Sequence, residues 1–284
     1  MISVVIPAHN EQAVIARCLE SLTARPVARG LEVIVACNGC TDNTAEVARG
    51  FGGAVKVVET EVGSKIAGLN LGDAAATGFP RVYLDADVEV SLDAIEKVVD
   101  LLEAGPALAA APRMNVDLSQ SSWAVRAFYK IWLSQPYHGK GMIGGGFYAM
   151  SEAGRSRFDT FPDIIADDEF TRSLFSEAER ATPDNTNFTI RAPHTLSSLI
   201  KVKTRSRLGL YQLRKHRPDL DDNREEKGGP DYNAVLARPT LWPCAAVYVL
   251  VNLITRTRAK RQMGSITTYT WERDESSRQH APAT

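Results

Sequence analysis

The first third of the chain alternates β-branched runs with stretches of helical periodicity, a pattern that few architectures accept. Residues 2–8, 31–36, 54–59 and 81–85 read as strands, with a fifth at 108–112. Residues 11–23, 41–49, 65–76 and 92–103 read as the helices between and after them. In the first of these, Val14, Ile15, Cys18, Leu19 and Leu22 recur at helical spacing, and Asn10 stands where it can cap. Strands that alternate with helices predict an α/β fold, a Rossmann-like, mostly parallel sheet with helices on both faces. Parallel strands are covered on both sides, so Val4-Val5-Ile6 and Val33-Ile34-Val35 are apolar throughout rather than alternating.

The second half is less regular. Residues 122–134, 167–176 and 195–217 read as helices, 142–150 as a Gly-rich strand and 188–192 as another. The basic run 201–217 gives way to acidic 219–226 and then to Lys227-Gly228-Gly229-Pro230, a linker or mobile-loop signal. That switch divides the chain into a domain at 1–217 and a helical C-terminal extension at 218–284 with a polar tail. Lys+Arg of 33 against Asp+Glu of 34 argues against a globally basic nucleic-acid binder. Four Cys are too few for a secreted disulfide scaffold and fit a reducing, cytoplasmic setting. The N-terminus has neither a basic leader nor a long apolar core, so no signal peptide is expected.

The apolar stretch 241–254 carries Pro243 and Asn252 and is shorter than the ~18 residues of a membrane span. It reads as a buried helix or as one lying in a membrane interface. In the second case Arg256, Arg258, Lys260 and Arg261 would meet anionic head groups at the inner membrane face.

In parallel α/β sheets, ligands sit outside the carboxyl ends of the strands. The turns expected there are Pro7-Ala8-His9-Asn10-Glu11, Cys37-Asn38-Gly39-Cys40-Thr41-Asp42 and Asp85-Ala86-Asp87. Residues i and i+2 of an extended strand point the same way, so Asp85 and Asp87 are expected to face one hard divalent cation, Mg or Mn. The same spacing in Asp219-Leu220-Asp221 lies in a polar loop and is assigned no function. Gly39 and Thr41 to Thr44 can cap the second helix or seat a nucleotide on backbone amides. Lys65 at a helix start can neutralise phosphate. Asp167-Asp168-Glu169 either favours the helix dipole or supplies a general base, since crowding raises one carboxyl pKa. Gly144-Gly145-Gly146 permits close backbone approach to a ligand or forms a bulged strand. The basic cluster holding Arg205 and Arg207 is a solvated helix face or a diphosphate clamp.

Taken in order, Val4 to Glu11, Asn38 to Thr44, Lys65 to Asn70, Asp85-Ala86-Asp87, the Gly144 triplet and Asp167-Asp168 resemble family 2 glycosyltransferases of the GT-A fold, over roughly residues 1–215. The resemblance implies a nucleotide-diphosphate sugar donor and a hydroxyl acceptor of the saccharide, lipid-linked or small-molecule class. Pro7, Asn10 and Glu11, with Ala8 and Asn38 beside them, match donor-contact motifs. Asp85 matches the acid near the ribose, with Ala86 between it and Asp87, the ligand of the divalent cation in this DXD motif. Asp168 matches the catalytic base, and Lys65, Arg205 and Arg207 would steady the departing diphosphate. The resemblance implies inversion at the anomeric carbon. Many members carry an Asp pair where this chain has Cys37-Asn38, which leaves the nucleotide open. The Gln-x-x-Arg-Trp motif of processive synthases is absent, so single transfer is expected. The rival expectation is a non-catalytic nucleotide-sugar sensor on the same fold. A nucleotidyltransferase would need a Gly-rich basic signature after the first strand, and Pro7-Ala8-His9-Asn10 does not supply one.

Overall fold

A computed structural model describes residues 1–135, 144–223 and 231–264. Four parallel strands, β1 (Ile2–Ala8), β2 (Leu31–Asn38), β3 (Val55–Thr60) and β4 (Arg81–Leu84), stand in the order β3-β2-β1-β4. β5 (Glu89–Val90), β6 (Ala109–Ala110), β7 (Arg113–Asp117), β8 (Phe147–Met150), β9 (Arg180–Ala181) and β10 (Asn187–Arg191) follow in the chain. The large sheet continues β4-β8-β6-β9, with β8 antiparallel to both neighbours, and β5-β10-β7 form a second, three-stranded sheet. The mostly parallel α/β architecture expected from the sequence is therefore present.

Both faces of the parallel strands are buried, by alternate residues. Val4, Ile6, Val33 and Val35 join a core with Ile15, Cys18, Leu19 and Leu22 of α1 (Ile15–Thr23). Ala45 and Ala48 of α2 (Thr44–Arg49) and Ile95, Val98 and Val99 of α4 (Leu92–Ala104) complete it. Val5 and Ala36 face the other way, toward α3 (Lys65–Ala75). α3 lies so close that a Cβ on Gly72 would stand 2.5 Å from Val5 Cγ1, and one on Gly68 2.8 Å from Asn38 Oδ1. Glycine at these two positions lets α3 pack directly on β1 and β2.

The first helix begins at Ile15 rather than at residue 11, and Asn10 is not its cap. Asn10 adopts a left-handed backbone (φ 54°), which Asn tolerates better than most residues, and its Oδ1 accepts a bond from Thr41 N–H. The fourth strand stops at Leu84, and Ala86 and Asp87 lie in a turn rather than on a strand. Val88 N–H donates to Asp85 O and closes a turn there. The Gly-rich strand shortens to β8, and Gly144 to Gly146 form a loop with φ of 125°, 75° and 94°. Met142 lies outside the described residues, as do Lys227 to Pro230 and the polar tail beyond Gly264.

Contacts divide the chain into two compact units, a boundary drawn by packing rather than by the charge switch near residue 218. The first unit is Met1–Asn115, Gly141–Asp163 and Asp167–Ile190. The second is Val116–Lys140, Ile164–Ala166 and Arg191–Thr284. In the first unit lie α6 (Glu152–Arg155) and α7 (Asp167–Ser173). The second holds α5 (Trp123–Trp132), α8 (Leu196–His216), α9 (Tyr232–Leu236) and α10 (Trp242–Met263). Phe128 and Tyr129 of α5, Leu199 of α8 and Val251 of α10 share its core. Pro243 sits in the first turn of α10, where its missing N–H costs nothing.

Candidate active site

The first unit gathers the sequence motifs at one end of its parallel strands. The loop after β1 is laced to the loop after β2. His9 Nδ1 lies 2.6 Å from Asn38 O, Glu11 N–H donates to Thr44 Oγ1 at 2.7 Å, and the Cys40 thiol donates to Ala8 O at 3.3 Å. Burial pushes the Cys37 thiol up to about 12, so it stays protonated at neutral pH. At the start of α2, Asn43 N–H donates to Gln12 Oε1 and Thr44 N–H to Asp42 Oδ1. Pro7, Ala8, Glu11, Asn38 and Ala86 are buried and form the floor of these loops. Asn10, Lys65, Asp85, Asp87 and Asp168 are partly exposed.

Lys65, at the first position of α3, bridges two acids. Its Nζ is 2.8 Å from Asp85 Oδ1 and 3.0 Å from Asp167 Oδ1. Burial alone would lower its pKa, but the Asp167 and Asp85 carboxylates outweigh that and raise it, so the ammonium is permanently charged. Asp167 is 4% exposed at its side chain and also accepts a bond from Tyr148 Oη at 3.2 Å. Burial first, and the Asp168 and Asp85 charges after it, push Asp167 up to about 6 against the opposing pull of Lys65. The acid with the raised pKa is therefore Asp167. Lys65 meets one of its oxygens and Tyr148 the other.

Asp168, the next residue, is held by the backbone. Gly145 N–H donates to its Oδ2 at 3.2 Å and Glu169 N–H to its Oδ1 at 2.8 Å. The glycine loop touches both ends of the site. A Cβ on Gly144 would meet Asp168 Oδ2 at 3.2 Å, and one on Gly146 would meet Asp85 Oδ2 at 3.1 Å. Asp85 N–H donates in turn to Gly146 O at 2.8 Å. The triplet is small because it lies against the acids themselves. Sequence reasoning found Lys65, Asp85, Asp168 and the glycines, but not the roles of Tyr148 and His9. Neither carries a local signal, being one Tyr in a strand and one His in a loop.

Among the described residues no group of three His, Cys, Asp or Glu side chains converges as a ready metal cage. The donor set still fits a hard cation. Asp85 and Asp87 offer carboxylate oxygens, and Mg-type sites are commonly completed by substrate phosphates rather than by protein. Arg205 and Arg207 lie on α8 in the second unit, where Arg207 donates to Asn252 Oδ1 at 2.7 Å.

The raised pKa of Asp167 has a measurable consequence. Its folded-state value lies above the ordinary 3.8, so its contribution to stability is full below about pH 4 and is lost as pH rises through about 6. Relative to Asp167→Asn, the native protein is expected to lose up to ~3 kcal/mol between pH 4 and 7. Urea denaturation of both at each pH reads this difference, and a pH-independent difference would show that Asp167 titrates normally.

Residues 3–157 match the family model Glycosyl transferase family 2. A stretch of 106 residues is 31% identical to Glycosyltransferase AglE of Haloferax volcanii, covering 36% of this chain and 35% of that protein. The chain thus matches about a third of the length of that curated relative. Among solved structures, the mannosyltransferase PcManGT of Pyrobaculum calidifontis, in complex with GDP-Man and Mn2+, superposes with a TM-score of 0.62 at 22% identity. The match covers 95% of this chain and 76% of that one. Glucosyl-3-phosphoglycerate synthase of Mycobacterium tuberculosis, with Mn2+, UDP and glucosyl-3-phosphoglycerate, gives a TM-score of 0.55 at 21% identity, over 76% of this chain and 79% of that one. S. aureus TarS 1-349 with UDP gives 0.52 at 14% identity, over 93% and 91%. These likenesses show a GT-A fold.

Proposed function

The chain belongs to glycosyl transferase family 2, and from that premise we propose that it transfers one sugar from a nucleotide-diphosphate donor to an acceptor hydroxyl with inversion. The observation that carries this reading is the glycine loop, which lies against Asp168 at one end and Asp85 at the other. The proposed base and the donor-side acid, from separate segments, thus lie against the same short loop.

In the proposed step the Asp168 carboxylate takes the acceptor hydroxyl proton. The acceptor oxygen bonds to the anomeric carbon from the face opposite the diphosphate. The bond from that carbon to the phosphate oxygen breaks, and the nucleoside diphosphate leaves with the electron pair. Activation of a weak nucleophile is the task a positioned carboxylate performs. Asp87, with Asp85 beside it, would hold Mn or Mg together with diphosphate oxygens. A bound divalent cation supplies charge compensation to the leaving group. Lys65 orients Asp85 and Asp167 and adds positive charge beside the diphosphate. Pro7, Ala8, Asn10, Glu11, Asn38 and Ala86 shape the donor seat. The proposed setting is the cytoplasm, with the second unit against the inner membrane face.

A thermal-shift panel of nucleoside diphosphates, with and without Mn2+, tests the donor side. One nucleotide at a hundredfold excess over its Kd is expected to raise the melting temperature by roughly 5 °C or more. The Mn2+-dependent part is expected to vanish in Asp87→Ala. Binding without transfer to any acceptor in a broad panel would favour the sensor reading; no stabilisation by any nucleotide would remove both.

A further inference from the structure

The second unit presents an outer surface that a helix bundle in water does not need. α10 buries Cys244, Val251, Thr255 and Ala259. A surface helix ordinarily turns polar residues outward on its other side. Here Trp242, Val249, Leu250 and Leu253 are 55%, 46%, 54% and 56% exposed. With exposed Ala246 they fall at spacings of four, three, one and three residues, a single stripe along the helix. The stripe continues into exposed Arg256, Lys260 and Arg261. Trp123 of α5 and Leu236 of α9, in the same unit, are also exposed.

Charge points the same way. α5, α8 and α10 carry two, six and four Lys and Arg, twelve in all, and not one Asp or Glu. The whole chain has 33 basic and 34 acidic residues, so the remainder carries 21 against 34. The positive charge is thus concentrated on three helices of an otherwise acidic protein.

We infer that α10 lies flat in the interface of an anionic bilayer, with Trp242, Val249, Leu250 and Leu253 among the acyl chains and Arg256, Lys260 and Arg261 on the head-group phosphates. The apolar stripe is what selects a membrane over a nucleic acid, whose backbone offers phosphates but nothing for exposed Leu and Val to enter. Twelve residues of helix rise about 18 Å, short of a ~30 Å hydrocarbon core, so the geometry suits lying on the bilayer and not crossing it. Among the described residues no helix is long and apolar enough to cross. Trp242 at one end of the stripe is the residue type that settles at head-group depth. This inference deepens the membrane setting of the proposed function, and none of the α10 residues placed in the bilayer is assigned to the donor or the base.

Co-sedimentation of the full chain with vesicles tests it. Binding to phosphatidylcholine/phosphatidylglycerol vesicles is expected to exceed binding to phosphatidylcholine alone by about tenfold or more, and to fall with salt. Leu250→Ser with Leu253→Ser is expected to lower vesicle binding about tenfold or more, with the melting temperature and nucleotide response unchanged. Lys260→Gln with Arg261→Gln is expected to remove part of the salt-sensitive component. The inference is overturned if the folded chain ignores anionic vesicles, or if the leucine pair has no effect on binding. Duplex DNA binding without vesicle binding would assign the surface to nucleic acid instead. Nucleotide binding is read in a separate assay, so loss of one result leaves the other standing.

Discussion

Asp168→Asn is expected to lower turnover by about 10²–10⁴-fold while leaving donor binding intact. The amide keeps the shape and still has an oxygen to accept from Gly145 N–H, but it cannot take a proton. The discriminating measurement is a split between a nucleotide titration and a transfer rate. Unchanged transfer would show that the base lies elsewhere; lost nucleotide binding would mean that Asp168 is part of the donor seat. Asp167→Asn makes the contrast. That carboxylate already meets Lys65 and Tyr148, so its replacement acts through the position of its neighbour and through the pH dependence of stability.

Lys65→Met is the second large effect. It leaves Asp167 buried beside Asp85 with no cation between them. Removing one partner of a buried ion pair costs about 3–5 kcal/mol, because the remaining charge is uncompensated. The lower end applies here, since the Lys65 side chain is 22% exposed and the Asp85 leg, at 36%, is screened by water. A loss of about 3 kcal/mol in urea denaturation at pH 7 is expected. Adding Asp167→Asn removes the stranded charge, so the double variant is expected to recover part of that loss, a coupling of roughly 0.5–3 kcal/mol. Strict additivity would mean that the bridge contributes nothing to the fold.

Much of the first unit is legible in the chain because it depends on local pattern. The buried runs at Val4-Val5-Ile6 and Val33-Ile34-Val35 need only their neighbours to be read, and the parallel strands stand where those runs lie. The errors fall where a contact that the side-chain pattern does not announce overrides a local preference. Asn10 looks like a cap until Thr41 takes its side chain. Asp85-Ala86-Asp87 looks like a strand end until Val88 closes a turn on Asp85 O. The glycine triplet looks like part of a strand, and it is a loop folded against two acids from separate segments.

By itself the sequence determined the order of the motifs, the kind of sheet that carries them and the residue types available for chemistry. All of these are set by side-chain periodicity and by the chemistry of single residues. Only the tertiary structure decided which of two adjacent carboxylates is buried and which is open, and that Lys65 binds protein acids. It also decided that one stripe of α10 is left uncovered. Burial and partner choice depend on residues far apart in the chain, and a carboxylate's proton affinity follows the charges and water that folding leaves around it.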